Sequence, residues 1–243
     1  MISVIIPTHN YGKYLAQCLR SIKNQTKKVD EIIVVDDASA DNTSEVVERW
    51  RSVKYFRVNF HQADRSRNFG FRKSAGDYIM FFDGDDYLRR DAIEKLYDAL
   101  QKNRQAAFAY SDRKDLIIKN GKVIRWERFK ALPWNYERLK YDNFVASWGL
   151  IKRRSFVRFD EKLHRLQDWE LWLSIGKKAP GIYVPHMLTI KRVHLHGITG
   201  SGPDKLLSAD DYVRRKHQLL PMPFSRKLRI RLGYIKKALL GEV

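Results

Sequence analysis

The chain has 243 residues, enough for one sizeable domain or one domain with a small extension. Its single cysteine, Cys18, excludes a disulfide framework and fits a reducing compartment, and no apolar run approaches the length of a membrane span. The net charge of +19 favours anionic partners, but no helix-turn-helix, zinc or RNA-recognition signature accompanies it, so no specific nucleic-acid partner is expected.

The first apolar run, residues 2–6, has no basic segment before it and stops at Pro7, so it reads as a strand and not as a signal peptide. Residues 3–6 form that short strand, and Leu15, Leu19 and Ile22 mark the helix after it. A second buried strand, 31–35, ends at Asp36-Asp37. Asn42 or Thr43 starts the next helix, with Val46, Val47 and Trp50 inward. A strand near 53–58 leads to a polar, basic helix around 66–74. The apolar strand 78–82 follows and ends in Asp83-Gly84-Asp85-Asp86. Ile93, Leu96, Tyr97 and Leu100 then mark an amphipathic helix, and 106–110 gives another strand. This alternation predicts right-handed crossovers and an α/β fold with a Rossmann-like, doubly wound, mostly parallel sheet.

After residue 112 the pattern changes. Leu116-Ile117-Ile118 and Val123-Ile124-Arg125-Trp126 flank Asn120-Gly121, a hairpin signal. Residues 127–166 are mixed, aromatic and basic. A helix with Trp169, Trp172, Leu173 and Ile175 follows, then strand-like segments at 181–185 and 187–193. From 212 to 243 nine Lys or Arg face one acid, interleaved with Leu228, Ile230, Leu232, Ile235, Leu239 and Leu240. A basic amphipathic helix of this kind either lies on an anionic membrane or packs its apolar side on the domain. The chain thus divides into residues 1–112, an α+β elaboration of the same domain at 113–204, and a basic helical extension at 205–243.

Open α/β sheets bind ligands at the carboxyl ends of their strands, which places Asp83, Asp85 and Asp86 on the rim of a crevice. Crowded carboxylates repel unless a cation joins them, and hard oxygen ligands suit Mg²⁺ or Mn²⁺. Capping the helix near 91–102 would account for one of these acids, not three. Pro7-Thr8-His9-Asn10 and Asp36 through Asp41 end neighbouring strands and reach the same edge. No G-x-G-x-x-G and no Walker loop follows the first strand. A carboxylate at the second strand's end can accept hydrogen bonds from a base N–H or a ribose hydroxyl. Asp37 is assigned that role, and Asp41 the shaping of the turn.

Four ordered runs carry a resemblance: Val4-Ile5-Ile6-Pro7-Thr8-His9-Asn10; Ile32-Ile33-Val34-Val35-Asp36-Asp37-Ala38-Ser39-Ala40-Asp41-Asn42-Thr43; Arg67-Asn68-Phe69-Gly70 with Ala75-Gly76-Asp77-Tyr78-Ile79; and Asp83-Gly84-Asp85-Asp86. Together they are similar to a family 2 glycosyltransferase of the GT-A fold, closely over 1–112 and more loosely to about residue 200. The resemblance implies a nucleotide-sugar donor, a divalent Mn²⁺ or Mg²⁺ at the acidic motif, and an inverting transfer. Pro7 and Asp37 match nucleoside-holding positions, and Asp83 and Asp85 match ribose and metal positions, with Asp86 a further metal ligand. Arg67 stands where a basic residue approaches the diphosphate, or else on a solvated helix face.

Gln167-Asp168-Trp169-Glu170-Leu171-Trp172, after the lead-in Phe159-Asp160-Glu161-Lys162-Leu163, resembles the family's acidic motif at a helix start. There Asp168 removes the acceptor proton, while the usual Glu before it is Gln167. Asp168 as a mere N-cap and Glu170 as the base are the alternatives. Arg192-Val193-His194-Leu195-His196-Gly197 resembles the stretch that follows, with His194 completing the metal shell, His196 a lesser candidate, and Arg192 neutralising diphosphate charge. Trp148 either stacks on an acceptor sugar or packs in the core. The resemblance makes 1–112 the donor-binding half and 113–204 the acceptor and catalytic-base half. It implies a glycan or lipid-linked acceptor and a cytoplasmic protein, with 212–243 available to an anionic membrane face. The competing expectation is a catalytically silent nucleotide-sugar binder or scaffold in a polysaccharide assembly complex.

Overall fold

Near-continuous apolar runs form strands buried on both faces, and the first two strands are of this kind. The computed structural model describes residues 1–119, 121–145, 148–194 and 202–239. All seven residues of β1 (Ile2–Thr8) and of β2 (Glu31–Asp37) are buried. With β3 (Val53–Val58) and β4 (Tyr78–Phe81) they pair in parallel in the order β3-β2-β1-β4. The crossovers are α1 (Gly12–Lys23), α2 (Thr43–Glu48) and α3 (Ala63–Lys73). Leu15, Cys18, Leu19 and Ile22 of α1 pack under one face, together with Val46, Val47 and the Ile93, Leu96 and Leu100 stripe of α4 (Ala92–Lys102).

On the opposite face α3 departs from its expected character as a polar surface helix. Asp64, Ser66, Arg67, Asn68 and Gly70 are buried. Gly70 permits this approach, since a Cβ there would fall 2.4 Å from Ile5 Cγ2. Arg67 therefore does not lie on a solvated face.

The sheet continues beyond β4, and the next strand is one that the sequence pattern left blank. β8 (Leu150–Lys152) is only three residues long, yet it pairs antiparallel with β4 on one side and β6 (Phe108–Lys119) on the other. Beyond β6 come β9 (Gly181–Val193) and the two-residue β5 (Tyr87–Leu88), while β7 (Lys122–Phe129) flanks β6 as the hairpin partner. The full order is β3-β2-β1-β4-β8-β6-β9-β5, nine strands with β7 among the described residues. The strand expected at 106–110 and the first arm of the hairpin are one continuous β6. The segments 181–185 and 187–193 are likewise one strand. Its register against β6 runs Ser111↔Val184 and then Asp112↔Met187, so Pro185 and His186 are passed over. Proline lacks the N–H that a ladder needs, which accounts for the bulge there. Buried Asp112 pins the irregularity by accepting from Ala131 N–H (2.8 Å), Tyr183 Oη (2.7 Å) and Arg128 (2.6 Å).

The short α5 (Tyr136–Leu139) and α6 (Gln167–Gly176) close the second core, where Trp172 stacks on Phe108 at 4.4 Å between ring centres. The basic extension is two helices, α7 (Pro203–Lys216) and α8 (Phe224–Leu239). α7 buries Leu207, Val213 and an Arg214–Asp210 pair, so part of the basic segment faces inward. α8 exposes Leu228 and Leu232. Among the described residues no helix is long and apolar enough to cross a membrane.

Candidate active site

Because β1 and β2 end in register, Pro7 against Val35 and Thr8 against Asp36, the loops after them are neighbours. They are stitched together. Asn10, in the left-handed region at φ 57°, accepts from Ala40 N–H (2.7 Å), and its own N–H donates to Ser39 Oγ (2.8 Å). Asp41 accepts from Gly12 N–H (2.9 Å) and from Thr43 N–H and Oγ1, which makes it the turn-shaping residue expected. His9 Nδ1–H donates to the Asp37 carbonyl at 2.6 Å.

Asp37 is 4% exposed, and its carboxylate accepts from Phe60 N–H (2.6 Å), His61 N–H (2.8 Å), Gln62 N–H (2.8 Å) and Ser66 Oγ (3.1 Å). It thereby fixes the loop leading into α3, including His61 at φ 49°. The sequence offered no sign of these donors, most of which are backbone groups of a loop.

Beyond β4 the three acids separate in role. Asp83 receives Arg67 Nη2 (2.9 Å) and the Trp148 indole N–H (2.9 Å). Burial pushes its carboxyl up, but the Arg67 charge and these hydrogen bonds outweigh that and hold it below the usual carboxylate range. Asp85 lies 3.0 Å from His194 Nε2, and that imidazole is stacked on Tyr14 and set edge-on to Tyr11. Asp86 is buried and accepts from Arg192 N–H (2.9 Å). Desolvation and the neighbouring Asp85 charge push its carboxyl well above the usual range. One oxygen from each of Asp83, Asp85 and Asp86 lies within 4.8 Å of the others, which suits a single hard cation.

Pro7, Asp37, Arg67, Asp83, Asp85 and His194 line one cavity of about 930 Å³, which Tyr11, Lys191 and the hairpin residues Ile118 and Gly121 complete. Six of the eight residues assigned from sequence thus share a wall; Asp86 and Asp168 do not belong to that lining.

Arg67 is held more firmly than its sequence context suggested. Its guanidinium bridges Asp64 (2.7 Å) and Asp83 and lies over Trp148 (4.7 Å) and Phe159 (5.5 Å). Trp148 accordingly serves to clamp Arg67 and Asp83. Asp64 is completely buried, and desolvation raises its carboxyl to about 6 against the pull of Arg67.

Arg192, expected at the diphosphate, lines the same cavity, and its guanidinium is engaged by protein groups. It donates to the Asp85 carbonyl and Gln17 Oε1 and lies between Tyr14 (4.8 Å) and Tyr87 (4.9 Å). Lys191, missed in the sequence, is a second cation lining the cavity and draws Asp83 and Asp86 down.

Asp168 opens α6 with its carboxylate oriented by two donors, Asn143 Nδ2 (3.0 Å) and Trp169 N–H (2.9 Å). It is near enough to raise the Asp64 carboxyl, and Asp64 is joined through Arg67 to Asp83. The segment holding Asn143 also holds Trp148, the partner of Asp83. Glu170, the alternative base, is buried and accepts from Ser174 Oγ (2.8 Å) and Lys216 (2.8 Å), with His217 at 3.3 Å, so it ties α6 to α7. His196 lies outside the described residues.

Known proteins share this sequence and this geometry. The chain is 30% identical over 205 residues to a GalNAc(5)-diNAcBac-PP-undecaprenol beta-1,3-glucosyltransferase of Campylobacter jejuni, covering 79% of this chain and 64% of that protein. Two other curated relatives are longer, and the chain spans 36% and 26% of their length. Its fold matches Staphylococcus aureus TarS 1–349 in complex with UDP-GlcNAc at a TM-score of 0.72 and 19% identity, over 96% of this chain and 71% of that one. It also matches the mannosyltransferase PcManGT of Pyrobaculum calidifontis in complex with GDP-Man and Mn²⁺ at 0.66 and 17%, over 96% and 68%. Identities this low establish the GT-A fold and no more. Residues 3–159, well over half of the chain, match the family model described as glycosyl transferase family 2, and the chain belongs to that family of glycosyltransferases.

Proposed function

We propose that the chain moves a sugar from a nucleotide-diphosphate sugar to an acceptor hydroxyl with inversion, Asp168 serving as general base. The observation that carries this reading is the convergence of Asp83, Asp85 and Asp86 beside one large cavity. Residues 1–112 form the donor half, 113–204 supply the base and the acceptor side, and 205–243 are a basic extension. The loops of Pro7 and Asp37 take the nucleoside, and Asp83, kept ionised by Arg67, faces the ribose.

The acids fit a divalent cation, Mn²⁺ or Mg²⁺, because one oxygen from each lies within 4.8 Å of the others, and burial together with the Asp85 charge raises the Asp86 carboxyl, a cost that a cation offsets. Asp85 and Asp86 would hold it, with His194 beside Asp85. When bound, such an ion supplies positive charge to the departing diphosphate. Lys191 adds a fixed cation at the same wall. Asp168, oriented by Asn143, accepts the acceptor's proton as the hydroxyl oxygen bonds to the anomeric carbon and the bond to the diphosphate breaks.

The acceptor is a glycan or lipid-linked hydroxyl, a reading supported by the name of the Campylobacter relative. On this view the protein works on the cytoplasmic side of a membrane, with the exposed leucines and basic residues of α8 resting on anionic lipid.

Calorimetry and thermal-shift screening against UDP-, GDP-, dTDP- and CMP-linked sugars, with and without Mn²⁺, test the donor site. We expect one donor to bind tightly only with metal and to be slowly hydrolysed. Binding without hydrolysis or transfer would return the silent-binder reading, and no binding at all would overturn the donor site.

A further inference from the structure

β7 is an edge strand that buries none of its eight residues, and among the described residues β6 is its only partner strand. Such an edge is normally blunted with charge alone. Here the end nearest the turn also exposes Val123, Ile124 and Trp126, at 54%, 56% and 57%. Around them the segment 113–130 carries seven Lys or Arg against two acids. Both acids are paired within the hairpin, Asp115 with Arg113 (2.7 Å) and Glu127 with Arg125 (3.1 Å). Lys119 and Lys122 flank the turn and are exposed. The same tip borders the cavity through Ile118 and Gly121, and a Cβ on Gly121 would stand 3.8 Å from Lys13 Nζ at the start of α1.

We propose that this hairpin tip docks on an anionic lipid bilayer. Val123, Ile124 and Trp126 enter the boundary between headgroups and acyl chains, and Lys119 and Lys122 meet the lipid phosphates. The pairing of aliphatic and indole side chains with flanking cations suits that boundary, where lysine stems lie along apolar surface and their ammonium groups stay in the wet layer. A polar glycan offers aliphatic Val123 and Ile124 nothing to bond. A second copy is disfavoured by charge, since pairing two such edges sets Lys and Arg against Lys and Arg on a chain of net charge +19. Docking in this manner brings the cavity mouth to the membrane surface, because Ile118 and Gly121 belong to both.

Co-sedimentation of the full chain with vesicles of phosphatidylcholine, with and without 30% phosphatidylglycerol (roughly the density that gives a strong surface potential), tests the proposal. V123S/I124S/W126S should bind the anionic vesicles at least about fivefold more weakly than the wild type. K119Q/K122Q should lose most of the preference for anionic over neutral vesicles. Nucleotide binding with Mn²⁺, measured on the same variants, should be unchanged, so a failure of the donor site is read separately. Undiminished vesicle binding by the triple variant, leaving α8 to carry the whole effect, would overturn the inference. So would a concentration-dependent dimer that the triple variant abolishes.

Discussion

The end of the sheet proposed to take the donor and the hairpin end meet at the same cavity and are built in opposite ways. At the β1, β2 and β4 termini the strands are buried on both faces and their loops are stitched by Asn10, Ser39 and Asp41. Every acid there is answered within a few ångströms: Asp83 by Arg67 and Trp148, Asp85 by His194, and Asp86 by the Arg192 backbone. At the other end β6, β7 and β9 run out of the core, and β7 keeps its apolar side chains in the open. The difference teaches that burial fixes the position of charged groups, as a donor site needs, and that exposure is retained where another surface is to be met.

The comparison is tested most severely at Asp85. Asp85→Ala should remove metal-dependent nucleotide binding and lower transfer by about 10⁴-fold, since the cation loses a ligand and the diphosphate its counter-charge. Calorimetry with a nucleoside diphosphate and Mn²⁺ reads it, and metal-independent wild-type affinity in the variant would break the assignment.

Arg67→Met leaves Asp64 and Asp83 without their cation. A loss of nucleotide affinity of about tenfold or more is expected, together with a lower Tm. Affinity at the wild-type level would mean that Asp83 needs no such partner.

On the hairpin side of the comparison, Asp112 is as buried as any acid at the site but serves the β9 bulge. Asp112→Ala should cost about 2–3 kcal/mol in urea denaturation, discounted because Arg128 is half exposed, and should leave nucleotide affinity per folded molecule unchanged.

The smallest effect concerns pH. Desolvation raises the Asp64 carboxyl to about 6, above its unfolded value near ~3.9. Its contribution to stability is therefore complete below about pH 4 and is lost as pH rises through 6. Asp64→Asn should flatten the Tm profile over that window by roughly 1–2 kcal/mol. An unchanged slope would show that Asp64 is ionised throughout.

The acidic edge of the sheet was legible in the sequence because its signals are local. An apolar run such as Tyr78 to Phe82 can only be a buried strand, and the acids after it must then emerge at the edge. The remainder depended on partners distant in sequence. β8 has three residues and no periodicity of its own; it exists because β4 and β6 stand on either side. α3 reads as solvated from its arginines, and only Asp64, Asp83 and Trp148 make Arg67 a buried residue. Lys191 was missed for the same reason, and the reading of 212–243 as one helix failed because Lys216 turns inward to Glu170. Asp168 was assigned by resemblance, and its orientation by Asn143 was not legible in the sequence.

The most direct measurement is single-turnover transfer by Asp168→Asn with donor and metal saturating. The account predicts donor affinity within about twofold of the wild type and a transfer rate lower by on the order of 10³. Near-normal turnover with intact donor binding would contradict it, because another group would then be taking the acceptor's proton.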